Sequence, residues 1–341
     1  MLHRIIRIAA VLGALSLAGG CARTYDLTPE ETASSEAISF SASSLLLRDD
    51  AGTKSTTEGF ISNDDTFSIF GERVTSANQH SLVFNGVTVE HLYNPPTDIW
   101  QYNPLGYWLW SSQSDRYDFV AVSPAGIGSE NEHAVGNLSV STHYDLTEDD
   151  YDILAATYRR SGSEWGERFN SVDLSFSHMG SAVGISIQNN SQNKPVTLNY
   201  IQFRNLVVSA DAKASLDNYG RTNIRWANQM PDAAAVRKLT PGQSISASGS
   251  YSGEYQIMIP QNLVTYGAVM DVNYTVGGFT YTETFTLALI ERSDGTPITA
   301  WEIGHKYTYN ISMRMDGGLL VTVSTTPWDV PVQAETPGIL I

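Results

Sequence analysis

Apolar residues recur at every second position through most of this chain, and that period dictates strands, not helices. Ile38, Phe40 and Ala42 alternate with Ser39, Ser41 and Ser43. Phe67 and Ile69 alternate with Ser68 and Phe70, and Tyr117-Asp-Phe-Val-Ala-Val122 follows, ended by Ser123-Pro124. Val172, Leu174 and Phe176 alternate with Asp173, Ser175 and Ser177; Val183, Ile185 and Ile187 do so with Gly184, Ser186 and Gln188. Strict alternation predicts sheets with one buried and one wet face.

Residues 189–195 are polar and close on Pro195, which reads as a domain boundary. The same period resumes beyond it, with Val196, Leu198 and Tyr200, then 255–259 ending at Pro260. Residues 269–276 meet 279–289 across Gly277-Gly278, a hairpin signal. Tyr307, Tyr309, Ile311 and Met313 alternate, Gly317-Gly318 turns the chain into 319–323, and Trp328 closes the pattern. The prediction is an all-β protein with two sandwich domains in series, at 37–190 and 195–330, and a tail at 331–341. One segment departs from it. Thr147-Glu148-Asp149-Asp150 reads as a capping box ahead of a short helix over 151–158. The acidic group Glu148, Asp149, Asp150 and Asp152 is an alternative calcium site, but it lacks the glycine and spacing of a calcium loop.

The chain holds a single cysteine, Cys21. Arg4 and Arg7 precede an apolar stretch over 8–17, too short to span a bilayer, and Ala18-Gly19-Gly20 then presents small residues. Residues 1–20 therefore read as a lipoprotein signal peptide, with Cys21 lipidated and 21–36 as a tether. The alternative is an ordinary secretory signal with an incidental cysteine. Beyond Cys21 no thiol is left for a disulfide or a thiolate metal site. No later apolar run approaches the ~20 residues of a membrane span. A formal charge of −16, from 36 acidic against 20 basic residues, argues against nucleic acid as a partner.

Catalytic patterns are missing: no Gly-x-Ser-x-Gly, His-Glu-x-x-His or phosphate-binding loop occurs. No cofactor or metal site is expected. His178, where a strand pattern ends, reads as a structural hydrogen-bonding residue. The densest aromatic cluster is Trp100-x-Tyr102 followed by Tyr107-Trp108-Leu109-Trp110. It suits either core packing or a sugar-stacking platform.

The order of several motifs resembles the fimbrillin family, the lipoprotein subunits of type V pili. It runs from Ile38-Ser39-Phe40 through Thr53-Lys54, residues 65–71, Trp100-x-Tyr102, Tyr107-Trp108, Tyr117-x-Phe119 and Ser123-Pro124. Residues 172–178, Val183-x-Ile185-x-Ile187, Ile259-Pro260-Gln261, Trp301-x-x-Gly304-x-x-Tyr307-x-Tyr309 and Trp328 complete it. The resemblance implies tandem transthyretin-like, Greek-key sandwiches and a non-enzymatic structural, accessory or tip subunit at the cell outer membrane and fimbrium, serving adhesion. It also implies that an arginine-directed protease removes an N-terminal strand, whose place a neighbouring subunit's strand then takes.

Mapped onto this chain, the excised strand carries Ile38, Phe40 and Ala42, and Arg48 follows it before an acidic, glycine-containing stretch. Arg48 is the candidate cleavage site, or a plain loop charge. Arg23 and Lys54 are lesser candidates. Ile339, Leu340 and Ile341 are the donor-tail candidates, with Pro331 and Pro337 interrupting the tail, and residues 319–323 are a longer alternative. The expected partners are other pilus subunits, the outer membrane through lipid, and a host protein or glycan. A surface glycan-binding lipoprotein of a nutrient-uptake system, using Trp100, Trp108 and Trp110, is the competing reading.

Overall fold

The computed structural model describes residues 37–44, 65–94, 97–128, 138–149, 151–164, 171–191, 193–233, 237–239, 241–314 and 318–328. The first half supplies β1 (Ser39–Ser44), β2 (Thr66–Val74), β3 (His80–Asn94), β4 (Thr97–Tyr102), β5 (Arg116–Ser123), β6 (Ser139–Asp145), β7 (Leu154–Ser161), β8 (Ser171–His178) and β9 (Ser181–Asn189). Next come β10 (Val196–Arg204), β11 (Leu206–Leu216), β12 (Thr222–Asp232), β13 (Arg237–Leu239), β14 (Gln243–Ile245), β15 (Ser250–Ser252) and β16 (Gln256–Met258). The last are β17 (Gln261–Asn262), β18 (Val269–Val276), β19 (Phe279–Thr286), β20 (Ala300–Trp301), β21 (His305–Met313) and β22 (Leu319–Pro327). The fold is all-β, as the period-two pattern predicts. Among the described residues the helical elements are two three-residue 3-10 turns, Gly162–Glu164 and Leu287–Leu289.

A seven-stranded sheet has the order β1-β8-β7-β5-β2-β3-β4, and a three-stranded sheet the order β12-β11-β6. Two five-stranded sheets follow: β13-β10-β18-β19 with β14 on β10, and β15-β9-β21-β22 with β16 on β9. A short β17-β20 pair completes the set. Most pairs are antiparallel, but β1 runs parallel to β8 and β9 parallel to β21.

Two apolar cores result. The smaller gathers Ile38, Phe40, Phe67, Ile69, Phe84, Phe119, Leu174 and Phe176. The larger runs from Phe70, Val120 and Val122 through Ala210, Ala212 and Ala214 to Phe203, Tyr307 and Tyr309. Strand β5 therefore faces both, with Phe119 and Ala121 in one and Val120 and Val122 in the other. This corrects the expectation of one wet face per sheet. A strand between two cores alternates between two dry faces, so β5 is buried along its length from Tyr117 onward.

The helix expected over 151–158 does not form. The acidic residues close a turn instead: Asp149 accepts from the Asp145 N–H at 2.7 Å, and Asp145 from the Thr147 N–H at 2.8 Å. The chain then enters β7, which pairs with β5 over eight positions, from Leu154↔Ser123 to Ser161↔Arg116. Backbone groups of a doubly buried strand need partners, and that demand overrides the local capping signal. Segment 189–195 joins β9 to β10, but the two belong together. Val183, Ile185 and Ile187 of β9 share a core with Ile201 and Phe203 of β10, and β6 pairs with β11. Residues 139–145 and 181–189 are thus built into sheets and cores with strands from beyond 195. Alternation identifies a strand but not its partner.

Candidate functional site

Strand β1 takes its place in the sheet beside a strand far from it in the chain. Its sequence alternates, so Ile38 and Phe40 are buried, Ala42 half-buried, and Ser39 and Ser41 exposed. It lies parallel to β8, with Phe40 opposite Val172 and Ala42 opposite Leu174. A parallel neighbour cannot be reached by a hairpin, and 127 positions separate Ser44 from Ser171. The chain following β1 leads instead to β2, which lies elsewhere in the sheet.

The side chains of β1 fill a ring-lined groove. Phe40 meets Tyr102 at 5.2 Å between centroids, Phe84 at 5.6 Å, Phe67 at 5.9 Å and Phe119 at 6.5 Å. Mostly edge-on contacts of this kind suit the ring quadrupoles. Polar ties sit along the rim. The Ile38 N–H donates to the Gly106 carbonyl at 2.9 Å, and Ala37 bridges to Tyr107. The Tyr102 hydroxyl donates to the Ile38 carbonyl, and Ser41 Oγ donates to Asp173. Burial pushes the Tyr102 phenol up to about 12, against the opposing pull of the Gly106 N–H. Tyr102 thus remains a donor at any physiological pH. At Gly106 a Cβ would stand 2.3 Å from the Phe84 ring, so this edge of the groove requires glycine.

The candidate sequence residues divide accordingly. Phe40 and Ala42 lie in β1, and Ile38 directly precedes it. Cys21, Arg23, Arg48, Lys54, Ile339, Leu340 and Ile341 lie outside the described residues. Sequence reasoning missed Phe84 and Gly106 as groove residues and read Tyr102 only as part of an aromatic cluster. Trp100 and Tyr102, two positions apart in β4, were the available signal.

The tryptophans are packed rather than displayed in a row. Trp108 is buried and stacked on Trp110 at 5.5 Å, with the Arg160 guanidinium 5.1 Å from its centroid. Trp100 stacks on buried His91 at 4.5 Å. His178 ends β8 and bonds Asp152 through Nδ1 at 2.5 Å. Among the described residues no group of three or more His, Cys, Asp or Glu is placed to hold a metal ion.

The sequence model of a family described as fimbrillin-like matches residues 53–328. Among solved structures, a provisionally assigned cell adhesion protein of Bacteroides uniformis is 15% identical, covering 86% of this chain and 98% of its own, at a TM-score of 0.49. The C-terminally truncated tip fimbrial protein Mfa3 of Porphyromonas gingivalis is 14% identical, covering 79% and 96%, at 0.43. The fimbrial anchor protein Mfa2 of the same organism is 9% identical, covering 86% and 97%, at 0.32. No curated protein matches at a significant level.

Proposed function

Because the chain belongs to the fimbrillin-like family, whose model spans residues 53–328, we propose that it is a cell-surface fimbrial subunit joined to its neighbours by strand replacement. The family is structural, not enzymatic, and this chain with it. In this reading Cys21 carries lipid and holds the precursor at the outer membrane. Cleavage at Arg48, rather than Arg23 or Lys54, frees β1, and the Ile339-Leu340-Ile341 tail of another subunit helps to refill the groove. The filament so built serves adhesion.

The observation that carries the proposal is the placement of β1. With Ile38 just before it, β1 contributes Phe40 to a core, yet it is tied to its sheet neighbour β8 by a parallel ladder and the Ser41–Asp173 bond, with no hairpin between the two strands. A cut in the chain between β1 and β2 leaves it held by contacts alone. Burying two such side chains is worth about 1.5–3 kcal/mol each, enough to hold the strand and modest enough to exchange. An emptied groove with an unpaired strand edge recruits another strand.

Limited digestion of purified full-length precursor with an arginine-specific protease, followed by sizing, tests this. Wild type should convert to species larger than the uncut chain, Arg48→Ala should keep the size of the uncut chain, and deletion of the residues after Trp328 should leave cut subunits unable to join by strand replacement. A cut protein that stays stable and keeps the size of the uncut chain would refute strand replacement at this site.

A further inference from the structure

The far edge of the β13-β10-β18-β19 sheet has the composition of a docking strand. Strand β19 reads Phe279-Thr-Tyr-Thr-Glu-Thr-Phe-Thr286, and among the described residues it pairs only with β18. It carries no proline, lysine or bulge, the usual devices that blunt an edge. Its single charge, Glu283, already accepts the Tyr274 hydroxyl at 2.6 Å. The strand is also held ready. Thr280, Thr282 and Thr284 are tied through their hydroxyls to Thr275, Asn273 and Asp271 of β18 at 2.7–3.0 Å. On the opposite face Phe279 and Tyr281 are 69% and 46% exposed, although Tyr281 stacks on the buried Tyr274 of the same sheet.

The hairpin geometry fixes which backbone groups point outward. Gly277 and Gly278 both have positive φ, 60° and 84°, in a two-residue loop closed by Val276↔Phe279. Such a loop makes its closing pair hydrogen-bonded, and bonded positions then alternate. Residues 279, 281, 283 and 285 therefore bond inward to β18. The N–H and C=O groups of Thr280, Thr282 and Thr284 face outward.

We propose that β19 pairs antiparallel with β19 of a second copy of this chain, about a two-fold axis through Thr282. The strand is self-complementary in that register. Thr282 meets Thr282 of the copy and Thr280 meets Thr284, so the outward backbone groups bond one another. On the other face Phe279 meets Phe285, and Tyr281 meets Glu283, a phenol donor against a carboxylate acceptor. Cross-strand aromatic and threonine pairs of this kind are favourable. A shift of one residue along each strand places Glu283 against Glu283, like charges directly opposed, which selects against that register. The two-fold keeps both aromatic shelves on one face, so each covers the other's exposed rings. This pairing is independent of β1 replacement and leaves that groove untouched.

Cysteine cross-linking of the full chain in a Cys21→Ser background tests it. Across the axis, Thr282→Cys residues would stand about 5.5 Å apart at Cα, within disulfide reach. Thr284→Cys residues would lie roughly 14 Å apart at ~3.4 Å per residue. Mild oxidation should give a covalent dimer from Thr282→Cys and none from Thr284→Cys. Thr282→Pro, which removes an outward donor, should weaken dimerisation at least tenfold in sedimentation while leaving circular dichroism unchanged. Equal cross-linking of both cysteines, or a monomer at every concentration, overturns the pairing. A full chain that dimerises only after deletion of residues 329–341 also overturns it, and gives the edge to the chain's own tail.

Discussion

The imidazole of His178 lies flat on the indole of Trp328, with ring centroids 3.6 Å apart and planes 11° from parallel. His178 ends β8, the strand that carries β1, and bonds the buried Asp152. Trp328 follows β22, donates its backbone N–H to the Gly304 carbonyl at 2.7 Å and lies 5.8 Å from Lys306 Nζ. The stack therefore clamps the end of the last strand to the sheet that holds the candidate groove. Strand β22 is further held by nine residue pairs with β21, from His305↔Pro327 to Met313↔Leu319. Recruiting 319–323 as a donor would break both. A donor confined to residues after 328 breaks neither.

Trp328→Ala should cost about 3–5 kcal/mol of stability, the usual range for truncating a buried tryptophan. Urea unfolding of the full chain measures it. A loss below about 1 kcal/mol would show that the clamp is not what holds β22 in place.

Stability should also fall in acid through Asp115. Burial works against its ionisation, but the Ser111 N–H and hydroxyl, the Arg73 guanidinium and the Ser76 N–H outweigh it and draw the carboxyl from 3.8 to about 2. The unfolded chain then binds a proton more readily than the folded one. The stabilisation is complete above about pH 4 and is lost as pH falls towards 2. Asp115→Asn should be less stable than wild type near pH 6, with the gap closing between pH 4 and pH 2. A gap that is constant with pH would assign the shift elsewhere.

The strands legible in the sequence are those with large residues on one dry face. Ile38 and Phe40 marked β1, and Gly277-Gly278 marked the β18–β19 hairpin. Strand β11 was not visible because, beyond Leu206 and Val207 at its start, its buried residues are the small Ser209, Ala210, Ala212 and Ala214. Strand β12 is largely exposed, so no alternation survives in its sequence. The aromatic groove was half legible. Phe40 showed itself, but Tyr102 is 64 positions from the Ile38 carbonyl it bonds, and only the fold brings them together. The acidic turn at 145–149 misled because the hydrogen bonds that close a turn also cap a helix.

Cys21→Ser should abolish incorporation of a fatty-acid analogue and release the protein from the membrane fraction. The basic, apolar and small-residue sequence before a solitary cysteine motivates this. Equal labelling of wild type and variant would remove the lipid anchor from the proposed function.

The sharpest test of the β1 groove is Gly106→Ala. The new Cβ would lie 2.3 and 2.7 Å from Phe84 ring atoms. Phe84 is 2% exposed and packed against Phe40, Tyr102 and Phe119, so the ring has no free direction in which to yield. The same glycine supplies the carbonyl that accepts the Ile38 N–H. Strain at this point passes to β1 first, because Gly106 holds the Ile38 N–H and Phe84 packs directly on Phe40. Overpacking of this kind costs about 1–3 kcal/mol. Amide exchange in the uncut chain should therefore accelerate roughly 5- to 140-fold over Ser39–Ser44 while β21 is unchanged, since 1.4 kcal/mol corresponds to a factor of ten. After cleavage at Arg48 the fragment bearing β1 should leave the variant faster by a similar factor. Exchange that quickens equally in β1 and β21 would show general destabilisation, and β1 would then not be the separable element that strand replacement requires.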